Sequence, residues 1–274
     1  MRIRLLGADT ELGGAVLQEA AERGHEIVDT ACEVLVNVLR QPENSLLHDG
    51  WAWKGAKTRF AEQTAEVLEA ARRDSPRLIV DAGHAFLYGN ARNATEQAAQ
   101  HPAAGNERFV AAIEAEKAIR TAGLPVSTLR LGFGYGPRYQ DLKRYRNSFR
   151  VLRPYYAGPG LAAPWLHHDD AAAALVTAAE SAPAGSVFNV ADDEAVSLRD
   201  FIDHFGRREL HAFTYHLPRW SLRFLGGQIR KEQVALLDQE TTLAAGAFRS
   251  TLGWKPVYPT YREGLAQTVR AWRS

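Results

Sequence analysis

Two histidines followed by two aspartates, His167-His168-Asp169-Asp170, resemble a metal-binding cluster. Imidazole and carboxylate groups are common ligands of zinc and other divalent metals. Adjacent residues on a strand point to opposite faces, so the two histidines cannot readily bind one ion. Acidic residues at the start of an alanine-rich segment instead favour the positive end of a helix dipole. We therefore predict that the aspartates cap a helix and that the sequence provides no metal site.

Aromatic and basic side chains concentrate in two segments. Trp51 and Trp53 lie close to Lys54 and Lys57, where they could stack on a ring and contact a phosphate or, alternatively, pack against the core or a partner subunit. The second segment combines tyrosines and arginines in the middle of the chain, and it would suit a phosphorylated ligand. Its members are Tyr145, Arg146, Arg150, Arg153, Tyr155 and Tyr156.

Strands and helices alternate along the first half of the sequence, and these elements must position the groups above. Apolar runs that end in turn residues predict strands, and apolar residues at helical spacing predict helices between them. This alternation favours right-handed βαβ units and a parallel sheet. The predicted strands are 2–6, 25–28, 34–39, 77–80, 126–130 and 187–190, and the predicted helices are 13–23, 58–73, 106–121, 169–182, 197–205 and 261–272.

The composition is that of an ordinary globular chain, with 46% apolar and 24% charged residues among 274. A formal net charge of +1 gives no overall field toward nucleic acid or an anionic membrane. No apolar run approaches the ~20 residues that span a bilayer. Cys32 is the only cysteine, which excludes an internal disulfide and a cysteine-built metal site. The opening segment is too short for a secretion signal. We expect a cytoplasmic protein without nucleic-acid or membrane partners.

Five segments resemble, in the correct order, motifs of the extended short-chain dehydrogenases/reductases of the NAD-dependent epimerase/dehydratase family. Five ordered motifs are hard to obtain by chance. The resemblance implies an α/β fold with a Rossmann-like doubly wound parallel sheet in residues 1–160, while residues 161–274 complete this core and form a smaller C-terminal α/β substrate lobe. The segments are GADTELG (7–13) at the family's GxxGxxG turn, AFLYG (85–89) at "aVYG", LRLGFGYGP (129–137) at "LRpxxvYGP", LHHDDAA (166–172) at "ihvdDva" and LGWKP (252–256) at "LGWxP".

By this resemblance, the turn after the first strand would bind the pyrophosphate of NAD or NADP. Such a turn offers bare backbone amides at a helix N-terminus, and its middle glycine lets the phosphate approach closely. Thr10 takes that glycine's place here, between the acidic Asp9 and Glu11. Two interpretations stay open: a modified turn that still binds, or a turn kept for packing, whose carboxylates cap the amides and repel phosphate. The candidate cofactor residues are Gly7, Asp9, Thr10, Glu11, Leu12, Gly13 and Asp29.

Asp29 stands at the distance from the turn where the family's acidic residue contacts the adenosine ribose. Only residues 30–33 separate it from the next strong strand, whereas a parallel crossover through a helix needs a dozen or more residues. The second βα unit is therefore predicted to be shortened, and Asp29 is alternatively a loop residue. If a dinucleotide binds, NAD is favoured over NADP because no arginine follows Asp29 to take a 2′-phosphate.

The family's catalytic groups are a tyrosine, a lysine four residues later, and a serine or threonine at a strand end. Aligning the motifs places His84 at the serine, Arg108 at the tyrosine and Ala112 at the lysine. His84 is a candidate acid or base, or a histidine that only hydrogen-bonds at the mouth of the site. Arg108 is a candidate anion ligand, or a solvated helix residue. Tyr139 and Lys143 spell a YxxxK pattern in the wrong region, which we interpret as coincidence.

Two functions follow from the resemblance. The first is an NAD(P)-dependent epimerase, dehydratase or reductase that acts on a nucleotide-sugar-like or carbonyl compound, with the standard Tyr/Lys pair replaced. The second is a non-catalytic ligand-binding or scaffolding protein that keeps the fold. Both bind a small molecule, and the family also suggests a homodimer. The candidate substrate residues are Tyr88, Tyr135, Arg146, Arg150 and Trp165.

Overall fold

The computed structural model describes residues 1–43, 46, 54–101, 106–151, 155–224 and 231–273. Trp51, Trp53 and Arg153, which the sequence singles out, lie outside the described residues. The strands are β1 (Arg2–Leu6), β2 (Glu26–Ile27), β3 (Val34–Asn37), β4 (Leu78–His84), β5 (Ala91–Ala94), β6 (Val126–Leu131), β7 (Phe133–Tyr135), β8 (Ala162–Ala163), β9 (Trp165–His167), β10 (Val187–Val190), β11 (Val196–Ser197) and β12 (Thr241–Leu243). The α-helices are α1 (Glu11–Glu22), α2 (Ala56–Asp74), α3 (Glu107–Arg120), α4 (Gln140–Arg150), α5 (His168–Ser181), α6 (Leu198–Asp203), α7 (Lys231–Leu237), α8 (Gly246–Leu252) and α9 (Tyr261–Ala271).

Six parallel strands form the central sheet, in the order β10-β6-β4-β3-β1-β2. The four inner strands are largely buried, as expected for a sheet that helices cover on both faces. The carboxyl ends of all six strands point the same way, so the loops that follow them meet at one edge. The predicted Rossmann-like parallel α/β fold is confirmed.

Helices cover the sheet in two layers because successive strand residues face opposite sides. On one face Val36 packs in a cluster with Val16 of α1 and with apolar residues of α5. On the other face Leu35 packs with Val67 of α2 and Ile119 of α3. Since α1 and α5 lie side by side, their first turns come together at the carboxyl edge of the sheet.

The connection from β2 to β3 is the shortened unit that the sequence predicts. Both strands pair with β1, one on each side, and six residues (28–33) join them without a helix. The last residue of β2, Ile27, pairs with Ile3, although β1 continues to Leu6. The link therefore turns back well before the carboxyl edge. Asp29, which is exposed, lies in this link.

Outside the central sheet, the described residues form short strand pairs and aromatic contacts. β8 pairs antiparallel with β11, whereas β5 with β12 and β7 with β9 are parallel pairs. Trp165 stacks on Phe201 with ring centroids 3.9 Å apart. A π-helix, His204–Glu209, follows α6. Among the helices that the structure describes, none is both long and apolar enough to cross a membrane.

Candidate active site at the carboxyl edge of the sheet

Two glycines give the turn between β1 and α1 its shape. Gly7 has a φ of +88°, and a Cβ there would lie 2.9 Å from the backbone nitrogen of Leu39. A Cβ on Gly13 would lie 2.0 Å from the carbonyl oxygen of Gly7. Only glycine permits this conformation and this close approach of the helix to the strand end. The turn thus keeps the geometry of a dinucleotide turn at its first and third glycines.

Thr10 occupies the middle glycine's place and caps α1. Its hydroxyl donates to the Gly7 carbonyl at 2.7 Å and accepts from the Gly13 amide at 2.9 Å. The next amides, those of Glu11 and Leu12, have no hydrogen-bond partner among the described residues. Two bare amides at the positive end of a helix dipole form an anion-binding arrangement. The Thr10 hydroxyl therefore occupies one backbone amide of the turn, that of Gly13, and leaves those of Glu11 and Leu12 available to a ligand.

The Glu11 side chain turns away from these amides toward the next helix. Its Oε1 accepts a hydrogen bond from the backbone nitrogen of Gln140, the first residue of α4, at 2.9 Å. Burial raises the pKa of Glu11 to about 7, with a smaller contribution from nearby Asp141, and the Gln140 amide opposes the shift. Asp9 is exposed. The negative charge beside the turn therefore depends on pH near neutrality.

A cavity of about 10 Å³ lies behind the turn. Leu12, Gln41, Gly132, Gly134 and His168 are among its lining residues. A cavity of this size holds one water molecule at most. Burial, and then the positive charge of Arg138, lowers the pKa of His168 to about 4. The imidazole of His168 is consequently neutral at physiological pH.

His84, the sequence candidate for an acid or base, is 1% exposed at the end of β4. Its Nε2 donates a hydrogen bond to the backbone carbonyl of Arg40 at 2.8 Å. Burial, and then the Arg40 charge, lowers the pKa of His84 to about 3. The Arg40 guanidinium pairs with Asp81 at 2.6 Å, and Asn37 also donates to Asp81 at 2.7 Å. These contacts favour a buried hydrogen-bonding role for His84.

The positions that align with the family's tyrosine and lysine lie in α3 and carry no acid–base pair. Arg108 is half-buried in the first turn, and Ala112 is 1% exposed. An aromatic cluster belongs to the same core: Phe86 stacks on Phe133 with centroids 5.7 Å apart, and Phe109 lies 5.5 Å from Phe86. The two positions that the motif alignment assigns to the tyrosine and the lysine thus hold an arginine and a buried alanine.

The substrate candidates do not come together in one pocket. Tyr88 donates to Asn189 and accepts from Arg130 inside the core, and Tyr135 donates to Asp192 at 2.8 Å. Trp165 is fully buried against Phe201. The guanidinium of Arg146 lies 4.8 Å from the ring centre of Trp272, and Arg150 is exposed. Tyr88, Tyr135 and Trp165 therefore already have partners within the protein core.

Sequence reasoning missed His168 as a component of this edge, although a signal was present. The family motifs have valine at the positions of both Gly134 and His168. The structure places these residues in contact, since a Cβ on Gly134 would lie 2.5 Å from His168 Nε2. The prediction that the aspartates cap the helix is wrong: the cap is His167, whose Nδ1 accepts from the Asp169 amide at 3.2 Å. The Asp170 carboxylate accepts instead from the amides of Val257 and Tyr258.

Comparison with known proteins agrees with this architecture. Residues 48–191 match the model of the NAD dependent epimerase/dehydratase family. A 3-diazoavenalumate denitrifying reductase from Streptomyces sp. is 30% identical over 220 residues, which cover 75% of this chain and 69% of the relative. The chain therefore belongs to the NAD-dependent epimerase/dehydratase family.

Solved structures with the same fold include two with bound dinucleotide. The human epimerase family protein SDR39U1 with NADPH has a TM-score of 0.80 at 19% identity, covering 98% of this chain and 99% of that one. A dTDP-glucose 4,6-dehydratase from Streptomyces venezuelae, with NAD bound, has a TM-score of 0.79 at 16% identity, covering 100% and 97%. At these identities the likeness establishes the fold.

Proposed function

We propose that this protein is an NAD(P)H-dependent reductase that works without the family's tyrosine–lysine pair. The observation that carries the proposal is the state of the turn: the amides of Glu11 and Leu12 are bare at the start of α1. The positions of the acid–base pair meanwhile hold Arg108 and buried Ala112. The anion-binding half of the family's site is kept, and its proton relay is not.

The residues of the turn fit the pyrophosphate of a dinucleotide. The amides of Glu11 and Leu12 would donate to its oxygens, and Gly7 and Gly13 keep these amides at the edge of the sheet. The adenosine side differs, because the short link that contains Asp29 turns back before this edge. NAD remains favoured over NADP, because no arginine follows Asp29.

The nicotinamide would supply a hydride, and the substrate is an acceptor that needs no proton from the protein. A carbonyl does not fit this requirement well, because its oxygen must be protonated as the hydride arrives. A diazonium group does fit. Hydride addition to its terminal nitrogen and loss of dinitrogen convert R–N₂⁺ and H⁻ into R–H and N₂, with no further proton. The 30% identical denitrifying reductase supports a diazo compound as the substrate class.

The second candidate function is non-catalytic ligand binding, and the tight packing at the carboxyl edge of the sheet favours it. The rings of Phe86, Phe109 and Phe133 form one buried cluster beside the end of β4. The cavity behind the turn measures only about 10 Å³. A ligand that binds at the surface of the turn, without reaching this interior, would require no redox chemistry.

Titration with NADH and NADPH separates the two candidates. We expect micromolar binding, seen as a change in nicotinamide fluorescence or as heat, and tighter binding of NADH. Absence of binding at millimolar concentration would overturn the reductase proposal. Binding without oxidation of the dinucleotide by an aromatic diazo acid, when a ketone panel is also inert, would favour the second candidate.

A matched pair of variants at Glu11 tests the bare amides. Glu11 is the first helical residue and follows an extended Thr10, with φ −76° and ψ 159°, so proline is tolerated there. Glu11→Ala removes the carboxylate and keeps the amide, whereas Glu11→Pro removes both. We expect Glu11→Pro to bind NADH about tenfold more weakly than Glu11→Ala, at similar stability. Equal affinities would show that this amide does not bind the dinucleotide.

A further inference from the structure

His168 is the first residue of α5 and is buried, with 5% exposure. Its Nδ1 atom has no hydrogen-bond partner among the residues that the structure describes. Leaving a buried polar atom unpaired costs about 1–3 kcal/mol. An apolar side chain of similar size would avoid this cost, so the imidazole destabilises the free protein.

The cavity behind the turn connects His168 with the anion-binding end of α1. Leu12, whose amide is one of the two bare donors, lines this cavity together with His168. Leu131 and Gly132, where β6 ends, form another part of its wall. The two residues that carry an unpaired imidazole nitrogen and a bare amide thus line one small cavity at the carboxyl edge.

Packing holds the His168 ring on two sides. Its Nε2 lies against Gly134, where a Cβ would be only 2.5 Å away. The ring of Tyr139 meets it edge-on, with centroids 5.3 Å apart. The ring orientation is therefore fixed in the free protein, and a ligand would not have to order it.

We propose that His168 is a binding residue for the nicotinamide dinucleotide and donates a hydrogen bond from Nδ1 to a phosphate oxygen. This inference rests on the proposed function and adds a contact from α5 to the turn of α1. Phosphate oxygens accept hydrogen bonds strongly, and a neutral imidazole carries one N–H to donate. One phosphate oxygen is about as large as the water that the cavity could hold, so its volume is compatible with this space.

Three substitutions of His168 test the contact. His168→Asn places an amide nitrogen near the Nδ1 position, His168→Gln places one near the Nε2 position, and His168→Leu provides none. We measure the dissociation constants of NADH and NADPH by fluorescence and the unfolding temperature of the free protein. We expect His168→Asn to bind within about threefold of the original protein, and the other two to bind about tenfold more weakly. His168→Leu should also raise the unfolding temperature of the free protein.

The outcomes distinguish a failure of the His168 contact from a failure of the proposed function. If the original protein binds NADH or NADPH and His168→Leu binds it equally well, the His168 contact is wrong and the proposed function stands. If all three variants lose affinity together with stability, His168 has a packing role only, and the contact is again wrong. If the original protein binds neither dinucleotide, the contact and the proposed function are both overturned.

Discussion

The carboxylate of Glu11 accepts a hydrogen bond from the backbone amide of Gln140, so the first residue of α1 caps the first residue of α4. This contact joins the turn that follows β1 to the segment that follows β7. Burial gives Glu11 a pKa of about 7. The turn therefore changes its charge within the physiological range.

Dinucleotide affinity should depend on pH through Glu11. Above pH 7 the ionised carboxylate repels the pyrophosphate, and below pH 7 its protonation removes this repulsion. We expect Glu11→Gln to bind NADH about fivefold more tightly than the original protein at pH 8 and equally at pH 5.5. Calorimetric titrations at both values provide the measurement. A constant ratio of the two affinities across this range would contradict the assignment.

Tyr139 should be dispensable for catalysis, although it matches the YxxxK pattern with Lys143. Its ring is 7% exposed and lies edge-on to His168. Tyr139 precedes α4, whereas the positions that align with the family's pair lie in α3. We expect Tyr139→Phe and Lys143→Ala to retain reductase activity within about twofold. Steady-state rates at saturating NADH measure this. A hundredfold loss in Tyr139→Phe would make Tyr139 the acid that the site otherwise lacks.

His84 should make the protein sensitive to acid. The pKa of His84 is about 3 in the folded protein, against about 6.5 when unfolded, so the unfolded chain binds the extra proton between these values. Stability is therefore lost as pH falls below about 6.5. His84→Gln can still donate to the Arg40 carbonyl, but it has no imidazole to protonate and should not lose stability in this way. We expect the free-energy difference between the two proteins to shift by about 2 kcal/mol in favour of the variant from pH 7 to pH 5.

Urea denaturation at a series of pH values measures that shift. Parallel curves for His84→Gln and the original protein would argue against a neutral buried His84.

Substitutions of Arg40 and Asp81, which form a buried ion pair, should have strongly non-additive effects on the free energy of unfolding. Arg40 is 1% and Asp81 0% exposed, and the Nε and Nη1 atoms of Arg40 have no partner in the described part of the chain. Removing one partner leaves a buried charge, so Arg40→Met should lower the free energy of unfolding by about 3–5 kcal/mol. Arg40→Met with Asp81→Asn should recover more than half of that loss, as urea denaturation would show. Additive losses would mean that the pair is not coupled.

The sequence predicted the sheet because its strands are buried apolar runs separated by helices. It also predicted the missing crossover helix, since residues 30–33 are too few to form one. These are local or length-based properties. The pairing of β2 with only the first half of β1 is a tertiary property that periodicity does not contain.

Less of the candidate site than of the fold could be predicted from the sequence. The glycines of the turn have the spacing of the GxxGxxG motif, so Gly7 and Gly13 could be identified directly from the sequence. Tyr88 and Tyr135 also belong to recognisable motifs, yet a motif does not say whether a hydroxyl meets a ligand or a buried partner such as Asn189 or Asp192. Gly134 and His168 lie in two segments more than 30 residues apart. Both replace a valine of the family motifs, and only their contact in the structure shows that the two replacements are related.

The fit of His168 against Gly134 also restricts the order in which this pair could arise. With any side chain at position 134, the imidazole would meet a Cβ within 2.5 Å. An ancestor with valine at both positions could therefore lose the side chain at 134 first, at the cost of a small cavity, and gain the histidine afterwards. The reverse order passes through a steric clash. The two positions consequently form an epistatic pair, and relatives with His168 should carry glycine at 134.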